Sequence, residues 1–232
     1  MKSSLLLFFF LFSIALSAQL DLDNFLLGAN AKKLNEQCIR LVPDYPYARG
    51  SAWYKEAIDL NMPFDMQVCL VLGCKDEEGA DGIVFVFHPT LNTGYWGEGM
   101  GFAGLVPSLG IEFDTYQNYH LADPADDHLA VMKNGRIHHQ SSMIGPILLP
   151  NLEDCQKHPL RIQWQPAEQK MDIYLDGTLQ ASYEGDLIND VFQGKSTVYW
   201  GVTAATGRLS NHHDICIKKL LFAEARVPLR MR

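Results

Sequence analysis

Positive charge is scarce in this sequence. Its 232 residues carry 19 Lys and Arg against 27 Asp and Glu, a net charge of −8. That argues against a nucleic-acid surface, because a phosphate backbone needs a basic footprint. The imbalance fits a soluble, self-repelling surface. Long apolar runs are absent after residue 18, so nothing later reads as a membrane span, which takes about 20 apolar residues. There is no sustained helical periodicity, internal repeat or low-complexity linker. Those absences remove the coiled-coil, solenoid and obvious two-domain readings. The five cysteines, Cys38, Cys69, Cys74, Cys155 and Cys216, match no zinc-ligand spacing and read as structural.

The N-terminus reads as a signal peptide over residues 1–18. Lys2 supplies the charge, Leu5 to Leu16 form an apolar run broken by Ser13, and Ala15, Ser17 and Ala18 offer a cleavage site. The expected location is therefore secreted, and export permits disulfides. Five cysteines leave at least one thiol unpaired within the chain, and the pairing does not follow from the sequence. Hydrophobic residues at 47% and charged residues at 20% allow a sizeable core.

Short apolar stretches separated by turn signals predict strands. They fall at Gln67 to Leu72, Ile83 to Phe87, Leu160 to Trp164, Met171 to Leu175, Val198 to Thr203 and Ile215 to Phe222. Leu160, Ile162 and Trp164 face one way while Arg161 and Gln163 face the other. Asp176-Gly177 is a hairpin signal. Leu187 to Phe192 fits a short helical turn, while Gln19 to Asn30 carries no clear signal. The architecture implied is an all-β sandwich or barrel, followed by a loose tail at residues 223–232.

Two stretches offer chemistry. Asn92 to Gly104 holds Gly94, Gly97, Gly99, Gly101 and Gly104 among Tyr95, Trp96 and Phe102. Glycines allow a ligand close to the backbone, and aromatic rings suit the apolar face of a sugar. No Lys-Ser or Lys-Thr follows, so a phosphate loop is excluded; a plain flexible loop remains the competing reading. Gly110 to His128 reads GIEFDTYQNYHLADPADDH. Glu112, Asp114 and Tyr116 alternate along a predicted strand and share a face. Clustered carboxylates need a counterion, a shared proton or solvent. With Asn118, Asp123 and His128 they could hold calcium through oxygen ligands, or a transition ion through carboxylates plus one imidazole. A solvated acidic strand end is the bland alternative.

Four segments occur in a recognisable order: Ala80-Asp81-Gly82 before IVFVF, GMGFAG at 99–104, GIEFDTYQN at 110–118 with Asp123 and His128, and WGVTAATG at 200–207. Together they resemble the L-type (legume-like) lectins, over residues 24–222. The ADG, the EFDTYQN followed by Asp123-Pro124, and Asn134-Gly135 look most like the bacterial branch. The resemblance implies a concanavalin A-like jelly roll of two antiparallel sheets. It implies calcium (Ca2+) held by Asp114, Asn118, Asp123 and the Tyr116 carbonyl. It implies a neighbouring transition-ion site (Mn2+) from Glu112, Asp114, Asp123 and His128, with Asp126 or Asp127 as substitutes for Asp123.

For glycan binding it implies Asp81 after a cis Ala-Asp peptide, the Gly101 N–H, and Asn118. An aromatic face would come from Tyr116, Tyr95 or Trp96. The loop after Gly207, with Arg208 and Leu209, would tune sugar choice. One sugar would bind weakly, so useful avidity calls for a homo-oligomer or partner domains.

Two rival readings stand beside it. One is a calcium-stabilised structural or adhesion module with no sugar site. The other is a glycoside hydrolase of the same fold, which needs two carboxyl groups about 5–5.5 Å apart. Gln117 stands where such an enzyme would carry its second glutamate, so no catalysis is expected. His138 and His139, on a predicted strand, should point to opposite sides and share no metal. His212-His213-Asp214 lacks a serine elbow and reads as structural, and Trp53, Trp164 and Trp200 read as core.

Overall fold

The structure, a computed structural model, describes residues 22–223. The expected signal segment and the tail beyond Ala223 lie outside the described residues. In chain order the strands are β1 (Phe25–Ala29), β2 (Lys32–Lys33), β3 (Cys38–Val42), β4 (Arg49–Tyr54) and β5 (Ile58–Asp59). Next come β6 (Phe64–Val71), β7 (Gly82–His88), β8 (Leu109–Asp114), β9 (His128–Lys133) and β10 (Ile144–Leu148). The last are β11 (His158–Gln165), β12 (Lys170–Leu175), β13 (Thr178–Glu184), β14 (Thr197–Ala205) and β15 (His213–Phe222). A single helical turn, α1 (Leu187–Asp190), sits before β14, where the sequence placed one.

All strand pairs are antiparallel, and they form two sheets. One runs β1-β4-β14-β7-β8-β9-β10, with β5 pairing β14. The other runs β13-β12-β11-β6-β15-β3-β2. The sheets pack face to face as the expected all-β sandwich. Ile83, Phe85, Phe87, Ile111, Phe113 and Val202 from the first sheet meet Met66, Val68, Leu160, Ile162, Ile173 and Ile215 from the second. Trp164 and Trp200 lie in this core.

A second apolar cluster lies on the outer face of the first sheet, where Val84 and Val86 of β7 meet Trp53, Met100, Phe102 and Met132. Both faces of β7 are therefore covered. That explains why IVFVF reads as an unbroken apolar run rather than an alternation. The glycine-rich segment that follows β7 supplies much of the cover.

The six predicted strands are all present; five are longer by one or two residues at one or both ends, and β6 starts three residues earlier than expected and ends one residue earlier, without Leu72. Asp176 and Gly177, at φ 51° and 78°, make the two-residue turn between β12 and β13. Segment 19–30, without a predicted structure, contains β1, which pairs with β4. The expectation of a strand at His138-His139 is wrong. His139–Ser141 form a 3-10 turn, capped by the His138 ring accepting from the Gln140 N–H. Cys38 pairs with Cys216 and Cys74 with Cys155, leaving Cys69 buried and unpaired.

Candidate functional site

Asp81 precedes the first residue of β7, and the Ala80-Asp81 peptide is cis, as expected. Its backbone is tied on both sides. The Asp81 N–H donates to the Ala205 carbonyl at 3.1 Å, and the Thr115 N–H donates to the Asp81 carbonyl at 2.9 Å. The Ala80 carbonyl lies 3.1 Å from His213 Nε2 and accepts from the Asn211 N–H at 3.2 Å. Asn211 is the hub of this corner. Its side chain accepts from the Cys74 N–H and donates to the Lys75 carbonyl and to Glu153. Gly82 next door must be glycine, because a Cβ there would lie 2.2 Å from the Phe113 carbonyl oxygen.

The Asp81 carboxylate is buried, and its Oδ2 has no hydrogen-bond partner. Burial, with the nearby charge of Glu98, raises it to about 7.

The register places the acids. Asp114 stands opposite Gly82 of β7 on one side and His128 of β9 on the other. Alternation sends Glu112 and Asp114 to the outer face of β8, while Ile111 and Phe113 enter the core. The chain then turns through Thr115 to Asp123. There the Tyr116 N–H donates to Asp114 Oδ1 at 2.8 Å and the Asn118 N–H to Asp123 Oδ2 at 2.7 Å.

Two groups of ligand atoms result, each with members within 4.8 Å of one another: Asp114, Asp123 and His128, and Glu112, His128 and His139. All of these residues are buried. Asp123 lies in the cluster, while Asp127 accepts from the Leu152 N–H at 2.6 Å.

Burial opposes charge on Glu112, Asp114 and His128 in this cluster. Burial raises Asp114 well above the usual carboxylate range, helped by the charge of Glu112. Burial also raises Glu112, against the lowering pull of His139. Burial lowers His128 to about 4. Burial would lower His139 too, but hydrogen bonds and charge from Asp123 and Glu112 outweigh it and raise it to about 9. His139 Nε2 lies 2.9 Å from Glu112 Oε2, and its Nδ1 lies 2.7 Å from Asp123 Oδ1.

Sequence reasoning missed His139. It lies 21 residues beyond the end of GIEFDTYQN, in a turn no periodicity marked, and only the packing of that turn onto β8 and β9 brings it in.

The donor set fits a metal. Asn118 Oδ1 and His128 Nε2 are buried with no partner. Asp114, Asn118 and Asp123 offer oxygen only, which suits a hard cation such as calcium. Glu112, Asp114, Asp123 and His128 offer carboxylates plus one imidazole, which suits a transition ion.

Of the remaining expected residues, Arg208 is exposed and Leu209 half-buried in the loop after Gly207. A Cβ on Gly207 would lie 3.0 Å from Asp81 Oδ1, so this loop adjoins the aspartate. Gly101 requires a correction. Its N–H donates to the Tyr95 carbonyl at 2.8 Å and so is not a free sugar donor. The cause is the fold of the glycine-rich segment, which closes on itself through the Gly94 N–H to the Gly101 carbonyl. Trp96 packs over Gly101, where a Cβ would lie 2.8 Å from its ring, and is half-buried. Tyr95 is exposed.

The structure is thus a two-sheet antiparallel sandwich with an acid-and-histidine cluster beside a buried aspartate. Residues 17–219 match the L-type lectin family, described as the legume lectin beta-barrel domain, and the chain belongs to that family. As a lectin-family member it is a binding domain and not an enzyme.

Among curated proteins it is similar to protein ERGIC-53 of Chlorocebus aethiops, 28% identical over 207 residues, and to that of Homo sapiens, 26% identical over 201. Both matches cover 81% of this chain and 37% of the relative, so the chain spans well under half of either. These relatives are animal proteins, and the bacterial likeness read from the sequence finds no support among them.

Solved structures with the same fold include lectin II from Ulex europaeus, with a TM-score of 0.71 at 17% identity over 84% of this chain and 91% of that one. The VIP36 exoplasmic/lumenal domain, solved in a Ca2+/Man3GlcNAc-bound form, gives 0.70 at 20% identity over 88% and 87%.

Proposed function

We propose that this chain is a secreted, glycan-binding lectin whose shallow sugar site is organised by calcium. The observation that carries the reading is the buried polar cluster: Asp81 Oδ2 and Asn118 Oδ1 have no protein partner beside a group of acids that fits a cation. A buried polar atom without a protein partner calls for a ligand, an ion or an ordered water.

Asp81 as a carboxylate accepts from two sugar hydroxyls, and the Asn118 side chain donates to a third. Tyr116 and Tyr95 offer apolar faces. Arg208 and Leu209 bias sugar choice from the loop beside Asp81. Asp114, Asn118, Asp123 and the Tyr116 carbonyl would hold calcium. Glu112, Asp114, Asp123 and His128 would hold a transition ion such as manganese. The ion supplies fixed positive charge that keeps the acids ionised and Asn118 oriented. The lectin unit spans residues 24–222, after a signal segment at 1–18. Its avidity comes from a homo-oligomer or from partner domains, in keeping with relatives much longer than this chain.

One observation favours a second reading. With the Gly101 N–H committed to Tyr95, one expected sugar donor is missing, which suits a metal-held adhesion module with no sugar site. A glycan array run with calcium and then with a chelator separates the two. Calcium-dependent binding to a defined glycan is expected. Bound calcium by metal analysis with no glycan signal would establish the module instead.

A further inference from the structure

Beside Asp81 lies a surface that the site above does not use. The segment at 43–48, between β3 and β4, is laced to the loop after β14. The Tyr47 N–H donates to the Gly207 carbonyl at 2.9 Å, and the Thr206 N–H donates to the Ala48 carbonyl at 3.0 Å. Thr206 Oγ1 accepts from the Ala48 N–H at 2.8 Å and donates to the Tyr45 carbonyl at 2.9 Å. The Asp44 carboxylate accepts from Ser210 Oγ at 2.8 Å and from Lys75 Nζ at 2.6 Å.

Tyr47 itself adopts φ 59°, a left-handed conformation that a tyrosine adopts at a cost of about 1–2 kcal/mol. The surrounding bonds hold it there, and its side chain is left 75% exposed. Strained residues fixed by their surroundings concentrate at ligand sites. Gly207 links this segment to the site, because its Cβ position is 3.0 Å from Asp81 Oδ1. Adding standard bond lengths, the Tyr47 N–H lies no more than about 10 Å from the Asp81 carboxylate. Tyr45, also exposed, is anchored through its hydroxyl, which accepts from Asn30 Nδ2 at 2.8 Å.

We infer that Tyr47 forms a second subsite, stacking on the apolar face of the sugar next to the one held at Asp81. The inference rests on the glycan-binding reading and narrows it: the ligand class is an oligosaccharide of at least two linked sugars. A tyrosine suits the task because it offers a broad, flat face at low cost in side-chain entropy.

The test is calorimetric titration of the full chain in calcium, with the methyl glycosides of mannose, glucose and galactose and with disaccharides built from each. The wild type should prefer a disaccharide to its monosaccharide by roughly threefold to tenfold, the worth of one aromatic contact. Tyr47→Asn, which tolerates left-handed backbone, should abolish that preference while the monosaccharide Kd stays within about twofold. Tyr47→Phe should retain the preference. No disaccharide preference in the wild type, or one that survives Tyr47→Asn, overturns the subsite. So does an equal loss for both sugars in Tyr47→Asn. If no sugar binds, the glycan-binding reading falls, and the subsite with it; if Asp81→Asn leaves binding unchanged, glycan binding stands but its placement at Asp81 falls, and the subsite with it.

Discussion

Leu109, Ile111 and Phe113 leave one face of β8, and Gly110, Glu112 and Asp114 leave the other. Every one of these residues is buried. The first face joins the sandwich core, where apolar area removed from water stabilises the fold. The second face lies among acids and histidines whose burial opposes their charge. Both faces are thus dry, but only one gains free energy from being so. The contrast is what the proposed cation would resolve.

The largest effect should come from removing the acid that both proposed ions share. Asp114→Ala should abolish calcium uptake and weaken glycan binding by roughly 100-fold or more. In chelator its melting temperature should match the wild type's closely, because the wild-type carboxylate is itself an unfavourable buried group. Unchanged glycan affinity by array or calorimetry would end the contrast.

On the opposite face, Phe113→Ala should cost about 3–5 kcal/mol in denaturant unfolding through the cavity it leaves. Its folded fraction should still bind calcium; loss of metal with little loss of stability would reverse the assignment of the two faces.

Glu153 extends the comparison to the Asn211 hub. Burial raises its pKa from 4.5 to about 8. The unfolded chain releases this proton near the ordinary value and the folded chain only near 8. Between those values the folded state therefore holds more protons, and stability falls as pH rises. Glu153→Gln should flatten that decline, so that at pH 8.5 the variant gains about 1–3 kcal/mol over the wild type. Parallel pH curves would refute it.

The smallest effect belongs to Arg208. Arg208→Ala should change stability by less than about 0.5 kcal/mol while reordering the preferred glycans on an array. An unaltered glycan ranking would remove Arg208 from the site.

Much of the fold was legible because strand patterns are local. Leu160 to Trp164 alternates over one buried face, and Asp176-Gly177 can take the positive φ that a tight hairpin requires. The strand β1 was not legible, since a partner strand rather than its own composition defines it. The acids of GIEFDTYQN were legible by alternation, and their order along the chain carried the family resemblance. His139 was not, because it reaches Glu112 and Asp123 through a turn with no periodic signature. Nor was the closed hydrogen bonding that occupies the Gly101 N–H.

By itself, then, the sequence determined an all-β chain with an acidic strand end, because side-chain alternation and turn residues act over a few positions. Only the tertiary structure decided which cysteines pair and which histidine joins the acids. It alone showed that residues 43–48 lie against the loop beside Asp81. Those contacts join positions far apart in the chain, such as Tyr47 and Gly207, and strand register, not local pattern, brings them together.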